Sequence, residues 1–335
     1  MTQSDKPIAI VGAGSWGTAL AIQFARTGRP TFLWGHDPKH LATLSSDRVN
    51  KKYLPDAPFP EALQIESSLS RALGDATDVL IVVPSHAFRE MLKRVKPLLL
   101  PDARLCWATK GFELETGKLP HEVVADVLGD AVPKAVLSGP TFANEVGLDL
   151  PTAMTVASAD ESFAADIAAS ISSENFRAYT TTDVIGVEVG AAVKNVLAIG
   201  AGISDGLGFG ANTRVALITR GLHEMTRLGL ALGAQAETFM GLAGMGDLVL
   251  TCTDDQSRNR RMGLALAQGK GVEAAQHEIG QVVEGVHAAR AVREVAQAAG
   301  VDMPISEQIY RVLYEDTDPR TAVSALMGRN LKRES

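Results

Sequence analysis

A single lysine, Lys194, lies in the middle of an otherwise apolar and small-residue run that extends from Val184 to Leu207. If this run is helical, the neighbours of Lys194 on its own face include Gly190 and Ala198, which have no side chain or a small one. Such a face leaves room for a ligand near the ammonium, and partial desolvation is expected to lower the lysine pKa toward the range useful for proton transfer. A lysine on an apolar helix can instead extend its charge into water, and the run alone leaves both interpretations open.

A candidate phosphate site follows later in the chain, where residues 257–261 (SRNRR) open a predicted helix. Free backbone N–H groups, the helix dipole and a guanidinium fork all favour a phosphate dianion at such a helix start. A solvated basic turn capped by Asp254 and Asp255 fits the same residues equally well. Before it, residues 241–247 predict a glycine-rich turn that ends in the carboxylate of Asp247.

A glycine turn, GAGSWG, follows a short β-type run at Pro7 to Val11 and precedes a helical pattern that closes at Gly28. In this context Gly12 permits a tight turn, Gly14 lets the backbone approach a pyrophosphate, and Gly17 lets helix pack on strand. The pyrophosphate is expected at the helix N-terminus. A glycine turn without a ligand is the alternative, and the strand before it and the helix after it argue against that.

The next strand, Thr31 to Trp34, bears on the choice of cofactor. NAD-specific proteins of this class usually place a carboxylate at the end of this strand, where the present chain has Gly35 followed by His36. With Lys39 nearby, a 2′-phosphate can be accommodated, so NADP(H) is predicted at least as strongly as NAD(H), although Asp37 keeps NAD(H) open. Pro38 favours a helix start that leaves His36 outside the helix, so no metal site is predicted.

The elements that would position these residues change type along the chain. Up to about residue 189, β-type runs alternate with helical patterns, and an apolar run such as Val79 to Val83 is typical of a strand buried on both faces of a parallel sheet. Beyond it nearly every long segment is helical. The sequence therefore predicts an α/β protein with a Rossmann-type, doubly wound, dinucleotide-binding domain at residues 1–189 and an all-helical substrate-binding and catalytic domain at residues 190–335. The other predicted strands are Leu63 to Glu66, Arg104 to Ala108, Ala135 to Leu137 and Ala153 to Ala157.

Composition excludes several classes of partner. The 335 residues carry a formal net charge of −7 with no basic stripe, which argues against nucleic acid. A membrane span over Lys194 is not predicted, because that lysine and Glu188 would each cost roughly 2.5 to 3.5 kcal/mol near the bilayer centre. The polar start, MTQSDKP, predicts no signal peptide, and two distant cysteines in apolar surroundings suit reduced thiols, so a cytoplasmic protein is expected.

At this point a resemblance is visible along nearly the whole chain. The sequence resembles the bacterial-type NAD(P)-dependent glycerol-3-phosphate dehydrogenases. The motifs that carry the resemblance are GAGSWG, NKKYLP at 50–55, ATKGFE at 108–113, SGPTFANE at 138–145, AAVKN around Lys194, GLAGMGDLVLTC at 241–252, SRNRRMG at 257–263 and QVVEG at 281–285.

The resemblance also implies which residues bind the ligands. Beside the glycines of the turn, the cofactor contacts that it implies are Ser15, Trp16, His36, Tyr53, Lys110, Ala143, Arg258, Val282 and Glu284. The implied substrate contacts are Lys110, Gly139, Thr141, Lys194, Asn195, Asp247, Ser257, Arg258 and Asn259. Lys194 is the implied proton carrier, and no metal is implied.

The implied reaction is the reversible reduction of dihydroxyacetone phosphate to sn-glycerol 3-phosphate, which supplies phospholipid synthesis. The expected partners are this small substrate and a second copy of the chain in a homodimer. Two other classes share part of the pattern. Another hydroxyacid dehydrogenase would have no need of the phosphate site at residues 257–259, and a redox-sensing NADP-binding regulator would need no proton donor.

Overall fold

The structure is a computed structural model, and it describes residues 6–329. The chain forms two compact units, which are described separately below. The first comprises residues 6–113 and 118–188, and the second comprises residues 114–117 and 189–329.

The first unit is built on an eight-stranded sheet. Its strand order is β10-β9-β8-β7-β6-β1-β2-β5, and every neighbouring pair is parallel except β8 and β9, which are antiparallel. A separate antiparallel pair, β3 and β4, lies outside this sheet. The strands are β1 Ile8–Val11, β2 Thr31–Trp34, β3 Val49–Asn50, β4 Leu54–Pro58, β5 Leu63–Ile65, β6 Asp78–Ile81, β7 Arg104–Trp107, β8 Lys134–Ser138, β9 Thr152–Ala157 and β10 Phe176–Thr181.

The central strand β1 lies between β2 and β6, and all four of its residues are buried. Its apolar run is continuous because helices cover both faces of such a sheet, so neither face needs polar residues. The helices of this unit are α1 Ser15–Arg26, α2 Pro38–Asp47, α3 Leu69–Gly74, α4 Ser85–Val95, α5 Pro120–Leu128, α6 Ala143–Gly147 and α7 Glu161–Ile171.

The second unit is helical, and residues 189–329 contain no strand. One long helix, α8 Val184–Gly206, begins in the first unit and continues through Lys194 in the second. The helices after it are α9 Ala211–Ala231, α10 Ala236–Phe239, α11 Asp247–Thr253, α12 Arg258–Ala267, α13 Val272–Ile279, α14 Glu284–Ala298, α15 Pro304–Tyr314 and α16 Pro319–Met327. The predicted fold class, a Rossmann-type sheet followed by an all-helical domain, is confirmed.

Helix α8 is long and apolar enough to pass a membrane-span test on length and composition, with a mean hydropathy of 1.6. However, 89% of its most apolar window is buried within the protein. A helix in a protein core can have the same length and composition as a membrane-spanning helix. The burial of α8 within this protein therefore explains its apolar sequence.

Helices α8 and α12 pack with their backbones in contact. A Cβ added to Gly202 would lie 2.0 Å from the carbonyl oxygen of Arg260, and one added to Gly263 would lie 2.0 Å from the carbonyl oxygen of Ile199. Any larger residue at either glycine would separate the helices, so these two positions fix the distance and register between α8 and α12.

Two local predictions were wrong or incomplete. The predicted glycine-rich turn at residues 241–247 is a π-helical segment, Leu242–Gly246, that leads directly into α11. Glycines at this point serve close packing, since a Cβ on Gly244 would lie 2.3 Å from the carbonyl oxygen of Phe239. Strands β3, β4 and β10 were not predicted.

Candidate active site

The glycine turn between β1 and α1 contains glycines with different structural roles. Gly12 has φ 130°, and a Cβ there would lie 2.2 Å from the carbonyl oxygen of Val82. A Cβ on Gly17 would lie 1.8 Å from the carbonyl oxygen of Gly12. These two glycines are therefore required by the packing of the turn itself.

Gly14 differs from both of them. Apart from Gly14 and its two neighbours in the chain, no heavy atom of residues 6–329 lies within 4 Å of the position that a Cβ on Gly14 would take. Gly14 is the N-cap residue of α1 and provides no side-chain cap for the first turn of the helix. Open space at an uncapped helix N-terminus is what a pyrophosphate needs to approach the backbone N–H groups, so the turn fits a dinucleotide.

Trp16 and Asn50 contribute polar atoms next to this turn. Asn50 is fully buried and donates to the carbonyl oxygen of Ala13 at 3.3 Å and to the Thr18 hydroxyl at 2.8 Å. Within residues 6–329, the buried Nε1 of Trp16 and Oδ1 of Asn50 have no hydrogen-bond partner. Trp16 was among the implied cofactor contacts; the position of Asn50 beside the turn was not predicted, although Asn50 opens the NKKYLP motif.

Asp37 is engaged with its own helix. It is the N-cap residue of α2, and its Oδ1 accepts from the backbone N–H groups of Lys39 at 3.0 Å and His40 at 3.4 Å. The hydrogen bond from His40, followed by that from Lys39, lowers the pKa of Asp37 despite the opposing effect of burial. His36 precedes the helix and is exposed, and the ring of Tyr53 lies 5.7 Å from that of His40.

The carboxyl ends of β7 and β8 carry the other candidate residues of the first unit. The Thr109 hydroxyl donates to the carbonyl oxygen of Val83 at 2.7 Å, which joins the segments that follow β7 and β6 next to Lys110. Gly139 has φ 149°, and a Cβ there would lie 2.9 Å from Cα of Met154, so only glycine fits. The Thr141 hydroxyl donates to the carbonyl oxygen of Gly139 at 3.3 Å, and Ala143 begins α6.

Lys194 does not extend into water. It is 6% exposed, its ammonium is paired with the buried carboxylate of Asp247, and it donates to the Thr251 hydroxyl at 3.1 Å. The Thr251 hydroxyl in turn donates to the backbone carbonyl of Asp247 at 2.6 Å. The solvated-lysine interpretation is therefore wrong, because the charge is held inside the second unit by a carboxylate.

The small residues around Lys194 serve packing more than the sequence suggested. A Cβ on Gly190 would lie 2.6 Å from the carbonyl oxygen of Ala243, in the π-helical segment. This part of the lysine face is filled by backbone, so the predicted room for a ligand does not lie on the Gly190 side. Thr251 was not predicted, since nothing in its local sequence distinguishes it from an ordinary helix hydroxyl.

A chain of amides joins three helices of the second unit. Asn259 on α12 donates to Oδ1 of Asn195 on α8 at 2.8 Å, and its own Oδ1 accepts from the N–H of Gly285 on α14 at 2.8 Å. Asn195 also donates to the carbonyl oxygen of Ala191 at 3.2 Å. Both asparagines are buried, so these bonds fix the start of α12 relative to the residue after Lys194.

The start of α12 is capped by Ser257, whose hydroxyl accepts from the N–H of Arg260 at 3.2 Å. The two aspartates before it have other partners. Asp254 accepts from the N–H of Gln256 at 2.7 Å, and Asp255 accepts from Nε of Arg260 at 2.9 Å. The aspartates thus do not cap α12, and the alternative of an aspartate-capped basic turn is wrong in this respect.

The predicted site residues therefore fall into two groups. The first unit contains the glycine turn, His36, Tyr53, Lys110, Gly139, Thr141 and Ala143. The second unit contains the Lys194–Asp247 pair, Asn195, the start of α12, Val282 and Glu284. Within the described residues, no group of three or more His, Cys, Asp or Glu side chains is arranged to hold a metal ion.

A Rossmann-type sheet with an open glycine turn, followed by a helical unit with a buried lysine–carboxylate pair, defines an NAD(P)-dependent dehydrogenase. Residues 7–164 match the model of the NAD-dependent glycerol-3-phosphate dehydrogenase N-terminus, and residues 183–324 match that of the C-terminus. The chain belongs to the family of NAD-dependent glycerol-3-phosphate dehydrogenases.

Individual relatives agree with this assignment. The chain is 58% identical over 335 residues to glycerol-3-phosphate dehydrogenase [NAD(P)+] of Citrobacter koseri, which covers 100% of this chain and 99% of the relative. The corresponding protein of Salmonella paratyphi B has the same identity and coverage. A crystal structure of glycerol-3-phosphate dehydrogenase from Coxiella burnetii has a TM-score of 0.94 and 50% identity, and the match covers 97% of this chain and 100% of that one.

Proposed function

We propose that this protein catalyses the reversible NAD(P)H-dependent reduction of dihydroxyacetone phosphate to sn-glycerol 3-phosphate, with Lys194 as the proton donor and acceptor. The observation that carries the proposal is the buried Lys194–Asp247 pair in a chain of this family. A buried charge is costly unless it is paired, and a buried ionisable group with a specific charge partner is a candidate for a functional site.

A nicotinamide nucleotide, when bound, supplies the hydride for reduction and accepts it for oxidation. Negative charge grows on the carbonyl oxygen of the ketone during reduction, and an ammonium within hydrogen-bonding reach stabilises it and donates a proton. Asp247 pairs with the ammonium of Lys194, so its carboxylate holds the proposed proton donor in place. The Thr251 hydroxyl fixes the direction of the ammonium.

The start of α12 is proposed to hold the substrate phosphate. Arg258 is the first residue of this helix, and its guanidinium can form two parallel hydrogen bonds to a phosphate. The amide chain through Asn195 and Asn259 fixes the helix start relative to α8, which carries Lys194. Binding energy from the phosphate can therefore be used to orient the carbonyl group toward the proton donor.

The cofactor proposal rests on the first unit. Gly12, Gly14 and Gly17 shape the turn, and Ser15 and Trp16 lie in the first turn of α1. Because Asp37 is already engaged with the N-terminus of α2, its carboxylate has less capacity to accept from a ribose hydroxyl. This favours NADPH at least as much as NADH, with His36 and Lys39 near the 2′-phosphate.

The proposal extends to the biological setting. Glycerol 3-phosphate made by this reaction would supply phospholipid synthesis in the cytoplasm. Cys106 and Cys252 are both free and buried, and burial raises the pKa of the Cys252 thiol to about 12, so both suit a reducing compartment. We further propose a homodimer, with residues 1–189 serving the nucleotide and residues 190–335 the substrate.

The test is turnover by the purified protein on a matched set of ketones. Dihydroxyacetone phosphate should be reduced with NADPH and with NADH, whereas unphosphorylated dihydroxyacetone and 2-oxo acids should be poor substrates. Equal rates on phosphorylated and unphosphorylated ketones would indicate a different hydroxyacid dehydrogenase. Nucleotide binding without turnover on any ketone would indicate a regulator. Light scattering at several protein concentrations tests the homodimer.

A further inference from the structure

A buried carboxylate that the proposed mechanism does not use, Glu188, lies near the start of α8. It is 2% exposed and accepts three hydrogen bonds within the first unit. Its Oε1 accepts from the indole Nε1 of Trp107 at 3.0 Å and from the backbone N–H of His121 at 2.9 Å. Its Oε2 lies 2.5 Å from Nδ1 of His121.

These bonds connect α8 to two other elements. Trp107 is fully buried and is the last residue of β7, three residues before Lys110. His121 is in the first turn of α5, where the missing intrahelical partners leave its N–H available. One carboxylate therefore fixes the first turns of α8 against the carboxyl end of β7 and the start of α5.

The charge at this position needs an explanation beyond packing. Burial raises the pKa of Glu188, although the bonds from His121 and Trp107 oppose this effect. Burial by itself would lower the pKa of His121, but the hydrogen bond to Glu188 and the negative charges of Glu188 and Glu122 together outweigh it, so the pKa of His121 is raised. A leucine or methionine would fill the same volume without any desolvation cost. A carboxylate adds directional hydrogen bonds. Three donors that point at its two oxygens define both the rotation of α8 about its axis and the position of α8 along that axis.

We propose that Glu188 is a positioning residue for Lys194. The inference rests on the proposed role of Lys194 as proton donor. The two residues lie on one unbroken helix, six residues apart, which corresponds to about 9 Å along the axis. A helix of this length is stiff, so a slide or rotation at Glu188 is passed on to the ammonium of Lys194. A displacement of about 1 Å at a reacting group can cost about 100-fold in rate.

The test compares two substitutions at the same position. Glu188→Leu removes both acceptor oxygens while nearly preserving volume, and kcat for dihydroxyacetone phosphate is expected to fall by about 10- to 100-fold. Glu188→Gln should keep kcat within about threefold of wild type, because its amide oxygen accepts from Trp107 and from the His121 N–H while its NH2 faces the ring. The dissociation constant for NADPH, measured by fluorescence titration, should change less than about threefold in both variants.

Two further variants keep the test decisive if Glu188→Leu folds poorly. Trp107→Phe removes one donor and leaves α8 unaltered, and it should lower kcat by a smaller factor than Glu188→Leu. Glu224→Leu removes an equally buried carboxylate from α9. It controls for lost stability and should leave kcat per folded molecule unchanged.

Substitution of the lysine separates this inference from the proposed function. In a Lys194→Met background, Glu188→Leu should cause no further loss of kcat, because its effect passes through Lys194. An equal further loss in that background, or wild-type kcat for Glu188→Leu alone, would overturn the positioning role. Wild-type kcat for Lys194→Met alone would overturn the proposed role of Lys194 as proton donor instead.

Discussion

Lys194 illustrates what residue type alone can reveal. A charge inside a run of apolar and small residues is rare enough to attract attention, and its burial in the structure confirms that it is not a surface lysine. Its partners carried no such signal. Asp247 lies 53 residues further along the chain, and no sequence spacing relates a helix residue to a carboxylate on another helix. Asp247 was noted as the carboxylate at the end of a predicted turn, but only the family resemblance linked it to the substrate, and Thr251 was missed.

Replacement of Lys194 tests its proposed role directly. Lys194→Met keeps an unbranched side chain but cannot donate a proton, so kcat is expected to fall by about 100-fold or more. The dissociation constant for NADPH should change little, since the nucleotide turn lies in the first unit. Stopped-flow turnover and fluorescence titration give the two quantities, and turnover within a few-fold of wild type would remove Lys194 from the mechanism.

Arg258 tests whether the start of α12 holds the phosphate. Arg258→Lys keeps the charge but loses the two-pronged geometry, and Arg258→Ala loses both. On dihydroxyacetone phosphate, kcat/KM should fall by roughly 1.5 to 3 kcal/mol in the lysine variant and further in the alanine variant.

Unphosphorylated dihydroxyacetone is the control for this series. It has no dianion to hold, so all three proteins should reduce it poorly and almost equally. Added phosphite should stimulate that reaction more in wild type than in Arg258→Ala, because the separate dianion can occupy the same helix start. Equal losses on both ketones would show that Arg258 supports the fold or the cofactor instead.

At the scale of elements, the sequence located seven strands of the main sheet, including the short edge strand β5, and missed the edge strand β10 and the separate pair β3 and β4. The predicted strand boundaries lie within two residues of the observed ones, because continuous apolar runs between glycine and proline positions leave little choice. Strand β10, with the sequence FRAYTT, is at the sheet edge and only its first residue, Phe176, is buried, so it has no such pattern. The two-residue strand β3 and its partner β4, which contains two prolines, are also too atypical to be recognised.

Glycines in the turn between β1 and α1 provide a matched pair of substitutions. Gly14→Ala places a methyl group into open space at φ −76°, so the free energy of unfolding should stay within about 0.5 kcal/mol of wild type or rise slightly. The same methyl group would stand where the pyrophosphate approaches, so the dissociation constant for NADPH should rise about tenfold or more, which is ~1.4 kcal/mol.

Gly17→Ala should show the opposite pattern. Its Cβ would lie 1.8 Å from the carbonyl oxygen of Gly12, and overpacking of this kind costs about 1 to 3 kcal/mol of stability. Urea unfolding and NADPH titration of both variants separate the two roles. Unchanged nucleotide affinity in Gly14→Ala would mean that the dinucleotide does not approach α1 at this residue.

At the scale of the whole molecule, the tertiary arrangement places charges where no local pattern predicts them. Glu224 on α9 is buried, and it accepts from the backbone N–H of Ile305 at 2.6 Å and from the N–H and hydroxyl of Ser306 at 3.1 and 3.0 Å. It thereby caps the start of α15, 81 residues away along the chain. Such long-range caps have no sequence signature, because the capping residue is normally sought next to the helix it serves.

This cap makes the stability of the protein depend on pH with a defined sign. Burial raises the pKa of Glu224 from 4.5 to about 6, although the bonds from Ile305 and Ser306 oppose it. Between these two values the folded protein holds a proton that the unfolded chain releases, so stability from this group is greatest below pH 4.5 and is lost as the pH rises through 6. The loss amounts to up to about 2 kcal/mol.

Comparison with Glu224→Gln isolates this effect, because the amide cannot ionise and all other titrating groups are shared. The free energy of unfolding in urea should be measured for both proteins from pH 4.5 to 7. The free energy of unfolding of wild type minus that of the variant should decrease by up to about 2 kcal/mol across this range. It should level off above the pKa of Glu224 in the folded protein. A difference that stays constant, or that grows with pH, would mean that the carboxyl of Glu224 is no harder to ionise in the folded protein than in the unfolded chain. The three bonds to α15 would then outweigh the cost of its burial.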